Sequence, residues 1–207
     1  MPTQSDEHEQ NLHLQQFLLG LRREKLKSSV TSFNLFIFYG GAMMESELIN
    51  AIKLNTEVMF TNANIMLQTC NLDFILCDMP IWKHVYHMLH SCDQWYINPN
   101  EYTEPDFHEP NLNSLDIPSE KTLSRDELFH YLDRVRMKIM NYLDTLTDEM
   151  LYDVPSGCKS NRLSLILLQI RHFYAHLGNI NATTIIETNK WPRVIGISGK
   201  STEGLYE

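Results

Sequence analysis

His172 and His176 sit four residues apart in the run LSLILLQIRHFYAHLGNINATTII. On a helix, positions i and i+4 share a face, with Cβ atoms ~5–6 Å apart. The stripe through His172 also takes in Leu165, Leu168, His176 and Ile180, so both rings are expected to point into a core. A buried imidazole needs a partner for each ring nitrogen. Two neighbouring imidazoles meet part of that need together by binding one metal through neutral nitrogens at ~2.0–2.1 Å. Two ligands make a weak site, so a third is expected from a facing helix. The run PIWKHVYHMLHSCDQWYI offers His84, His87 and His90. His84 lies nearest the apolar stripe of that run and the other two sit on its flanks, so spacing leaves the third ligand open. The plainer reading is a surface or hydrogen-bonded histidine pair with no metal.

These residues need elements to hold them, and four segments carry helical periodicity. The first runs from about Glu45 to Asn71, with Leu48, Ile52, Met59 and Met66 near one face. Asp78 and Pro80 read as the start of a second, extending to about Ile97, because proline at an early helical position gives up an N–H that has no partner there. A polar stretch with four prolines, NPNEYTEPDFHEPNLNSLDIPSEKT, reads as an ordered crossover packed by its aromatics. Ser124 and Glu127 form a capping box that opens a third helix, expected to reach Met150. The fourth is expected from about Leu163 to Glu187, with Trp191 and Ile195 of the tail packed on the outside. Four long helices without a clear strand predict an all-α four-helix bundle with a long connection between helices 2 and 3.

Composition narrows the function. The chain has 207 residues and a net charge of -9. An acidic chain without basic clusters lacks the phosphate-neutralising footprint of a nucleic-acid binder. No apolar run approaches the ~20 residues needed to span a bilayer. The four cysteines, Cys70, Cys77, Cys92 and Cys158, form no CxxC pair and lie in or beside apolar segments, which favours free buried thiols and a cytoplasmic location. Phe173, Tyr174, Trp82, Trp95 and Tyr96 read as bundle packing.

Residues 1–42 do not fit the bundle plan. Tyr39-Gly40-Gly41-Ala42 directly precedes Met43 and Met44, so the native start is expected at one of these methionines. Residues 1–42 then read as a leader-like, poorly ordered extension, and 43–207 as the bundle.

YHMLHSCDQWYINP and RHFYAHLGNIN resemble the two signature segments of the DinB-like (DinB/YfiT) superfamily of metalloproteins. That family's pattern is a histidine in helix 2, in a YHxL context followed by an aspartate, and H-x-x-x-H-x-G in helix 4. Tyr86-His87-Met88-Leu89 with Asp93 matches the first part, and His172, His176 and Gly178 match the second. The resemblance spans roughly Glu45–Ile197. It implies a DinB/YfiT-type bundle in which His87, His172 and His176 bind one divalent metal, zinc or nickel, and it implies a homodimer. Three neutral histidines would leave a position open to water or a small-molecule substrate. The resemblance favours a thiol S-transferase that conjugates electrophiles with a low-molecular-weight thiol. Metal-assisted hydrolysis ranks second, with Asp93, Glu104, Asp106 and Glu109 as candidate bases. The non-enzyme alternative is a binding or structural bundle, in which His84 or His90 would close the metal site.

Overall fold

The computed structural model describes residues 46–196 and 204–207; the expected extension 1–42 and the candidate starts Met43 and Met44 lie outside them. The described chain is an all-α bundle. Its long helices are α1 (Glu47–Thr69), α2 (Ile81–Trp95), α3 (Arg125–Asp144) and α4 (Arg162–Thr188). Around the bundle the order is α1, α3, α2, α4, so α2 packs against both α3 and α4. None of these helices is long and apolar enough to cross a membrane.

Helices α2 and α3 bury the stripes that their apolar spacing predicts, whereas α1 and α4 bury theirs only in part. Met59, Phe60 and Met66 of α1 meet Tyr86, Met88 and Leu89 of α2, Val135 and Ile139 of α3, and Phe173 and Ile180 of α4 in one core. Each such side chain contributes roughly 1.5–3 kcal/mol on burial. Phe60 and Phe173 meet edge to face with centroids 5.8 Å apart. The crossover after α2 carries neither helix nor strand through residue 124. It docks Leu112 and Leu123 into the core and sets Phe107 edge-on to Tyr131 at 5.3 Å.

The helix ends follow identifiable chemistry. The Ser124–Glu127 capping box is formed as read. Asn161 caps α4 by accepting from the Ser164 amide, and Asn189 ends the helix in the left-handed conformation. Ser46 makes no side-chain cap for α1. Instead, the Asp148 carboxylate accepts from the amides of Leu48 and Ile49 at 3.1 and 2.8 Å. At the other end of α1, the Arg125 guanidinium donates to the carbonyls of Leu67 and Cys70. Two partners from α3 and the turn after it thus complete what α1 lacks.

Four expectations need correction. Asp78 does not start α2. Ile75–Leu76 (β1) and Met79–Pro80 (β2) pair antiparallel, and Cys77 and Asp78 turn between them with φ of 49° and 65°. A two-residue turn with both φ positive matches the right-handed twist of a hairpin. Helix α3 stops at Asp144 rather than Met150. Thr145 bonds back to the Tyr142 carbonyl at 2.7 Å, and a separate 3-10 turn, Glu149–Tyr152, follows. Trp191 is 62% exposed; the tail docks instead through the Ile195 backbone, which exchanges bonds of 2.7 and 3.1 Å with the Asn62 amide. All four cysteines are free, but Cys77 is exposed and Cys158 only half-buried.

Candidate metal centre

Helices α2 and α4 lie side by side, and Ser91 of α2 donates to Gln169 of α4 at 3.4 Å. On this seam the structure gathers His87 from α2 with His172 and His176 from α4. The His172 and His176 ring centroids are 4.5 Å apart, and His87 lies 5.5 and 4.8 Å from them. The Nε2 atoms of His172 and His176 meet at 3.0 Å. His87 donates from Nδ1 to the backbone carbonyl of Asn113 at 2.7 Å. A carbonyl only accepts, so the proton sits on Nδ1 and the Nε2 lone pair is free.

Burial acts on the same rings. It lowers the pKa of His176 to about 4, with further lowering from neighbouring His172, His87 and His84. Burial also lowers His172, aided by His87. Both rings are therefore neutral at pH 7, as metal ligation requires. All three are half-buried rather than enclosed, and Leu168, expected on the inward stripe, is 45% exposed. Leu165 and Ile180 at the two ends of the stripe are buried, so only its middle, Leu168 to His176, faces the margin of the bundle.

The donor set fits a divalent metal: three imidazoles from two elements, one of them oriented by a backbone carbonyl. His172 is the weak point. Its Nδ1 is buried with no partner among the described residues. Ligation through Nε2 would leave an unpaired Nδ1–H there, a cost of roughly 1–3 kcal/mol.

His84 and His90 both turn elsewhere, and neither is solvated. His84 is buried and donates from Nε2 to the Leu76 carbonyl at 2.9 Å, tying α2 to the hairpin. His90 is 2% exposed and bonds Glu104 of the crossover at 2.7 Å. Asp93 is also buried, and it pairs with Lys138 and accepts from the Tyr131 hydroxyl at 3.1 Å, joining α2 to α3. Tyr86 and Tyr174 place their hydroxyls on His108 and Asn62, so neither bonds the three histidines. Of the expected packing aromatics, Phe173, Trp82 and Tyr96 are buried while Trp95 is 42% exposed. The Gly178 position has nothing within 4 Å of where a Cβ would stand, so packing does not demand glycine there.

No family model, curated protein or solved structure matches this chain. The functional reading rests on the site's own geometry and on the two motif segments.

Proposed function

We propose that this chain is a divalent-metal protein of DinB-like type. Its site, His87, His172 and His176, would prepare a small thiol for transfer to an electrophilic small molecule. The observation that carries the metal part is the meeting of three imidazoles from two helices, with no carboxylate in the group. When bound, a zinc or nickel ion would supply Lewis acidity that favours the ionised form of a thiol. His87 would hold it through Nε2, oriented by the Asn113 carbonyl, and His172 and His176 through their adjacent Nε2 atoms.

Three neutral ligands leave the ion's double positive charge uncompensated, which suits an anionic thiolate. The half-burial of the rings and the engagement of His84 and His90 elsewhere support a site open to substrate. Hydrolysis ranks lower because its strongest candidate bases are engaged. Asp93 is held by Lys138 and Tyr131, and Glu104 by His90. The DinB-like assignment rests on the resemblance of the two motif segments.

The test is elemental analysis of the purified full-length chain, with X-ray absorption on the metal found. Expected is a first-row metal bound by three imidazole nitrogens, with one equivalent per chain lost in His176→Ala. A thiol-consumption assay with an alkyl halide follows. Absence of metal overturns the site, whereas bound metal with no thiol consumption overturns the transfer chemistry alone.

A further inference from the structure

We propose that His90, Glu104 and His108 form a second divalent-cation site, which clamps the crossover onto α2. The three side chains place potential ligand atoms within 4.8 Å of one another. Glu104 Oε2 lies 2.7 Å from His90 Nε2 and 3.7 Å from His108 Nδ1. The two imidazoles stack with centroids 5.0 Å apart around that one oxygen. Glu104 and His108 are four residues apart in a stretch that is not helical. They share a side because the His108 amide turns back onto the Pro105 carbonyl at 2.8 Å.

The surroundings are those of a supported ligand set. The Asn113 side-chain amide sits 3.4 Å from His90 Nδ1. An amide turned to present its oxygen there would accept the Nδ1 hydrogen and free Nε2 for a metal, the outer-shell arrangement that orients metal-bound histidines. Tyr102 donates to Glu104 Oε2 at 3.2 Å, fixing the carboxylate. Burial keeps His90 neutral against the opposing pull of Glu104. Tyr86 bonds His108 Nδ1 at 2.8 Å, and its pKa is raised by burial, so it is a protonated donor that a cation would displace from that nitrogen.

Two imidazoles and one carboxylate carry a net charge of about −1 and suit a first-row transition metal. The carboxylate is 47% exposed and borders a cleft of about 230 Å³ that Arg134 and Lys138 also line. Ions therefore have a route in along Glu104. This site shares no ligand with the three-histidine group and does not rest on the proposed chemistry there.

The experiment is calorimetric titration of zinc into chelator-stripped full-length protein. Wild type is expected to take two equivalents per chain. Glu104→Gln and His108→Ala should each remove one and leave the other, while His176→Ala removes the complementary one. Circular dichroism checks that each variant keeps its helices, and Glu104→Gln on a half-exposed side chain retains the hydrogen bonds of the crossover. A single equivalent that Glu104→Gln leaves unchanged overturns the proposal. So do two equivalents that both survive Glu104→Gln and His108→Ala.

Discussion

His87 donates its Nδ1 hydrogen to the main-chain carbonyl of Asn113 at 2.7 Å. The same asparagine points its side-chain amide at His90, 3.4 Å away. One residue of the crossover thus faces two histidine groups, through different atoms. Asn113→Ala removes only the side chain, so zinc affinity at the three-histidine group should stay at the wild-type value. Affinity at His90 should fall by roughly tenfold, the usual penalty for losing an outer-shell partner. Calorimetry reads both, and a loss confined to the three-histidine group would contradict this division.

His84 and His176 should separate cleanly in metal content. His84→Gln keeps a donor for the Leu76 carbonyl and should retain the metal at the three-histidine group, with a stability loss of about 1 kcal/mol. His176→Ala removes one of the two Nε2 atoms that meet at 3.0 Å and should abolish that metal. Elemental analysis after dialysis distinguishes them.

The stability of the metal-free protein should fall between about pH 6.5 and pH 4. Burial lowers the pKa of His84, His90, His172 and His176, the last to about 4. Unfolded histidines titrate near 6.5, so across this window the unfolded chain binds more protons and acid favours it. The contribution is fully present above about pH 6.5 and is lost as pH falls through the folded values. Urea midpoints at stepped pH measure it. A midpoint that rose on acidification from pH 6.5 to pH 5 would contradict the assignment of buried neutral rings.

Gly178→Ala should stabilise the protein. The glycine lies within α4, and a Cβ there meets nothing within 4 Å. Alanine in a helix interior is favoured over glycine by roughly 0.5–1 kcal/mol. Thermal unfolding should show a higher midpoint with metal content unchanged.

The four helices were legible because leucines, isoleucines and methionines recur at three- and four-residue spacing, and because Ser124 and Glu127 announce a helix start in local chemistry alone. The hairpin was not. Strands of two residues are too short to display alternation, and the Asp78 of its turn also resembles a helix cap. The end of α3 was hidden for a different reason. Leu146 and Leu151 are both buried, so the apolar pattern continues through a backbone that has left the helix. At the sites, i,i+4 spacing brings His172 and His176 together, whereas periodicity alone could not rank His87 over its neighbours. His84 and His90 sit on the same short helix, and what separates them is contact with the hairpin and the crossover. His108 carried no signal, since it lies in a stretch without period whose course is set by tertiary contacts.

Asp148 accepts from Leu48 and Ile49 across 100 and 99 positions of chain. During synthesis, then, α1 emerges long before the carboxylate that finishes its first turn exists. Helix ends without partners fray, and a contact spanning so long a loop forms only after the intervening elements have gathered. The Leu48 and Ile49 amides therefore report a late event. In pulse-labelled hydrogen exchange during refolding they should gain protection together with the turn around Leu151, after the middle of their own helix.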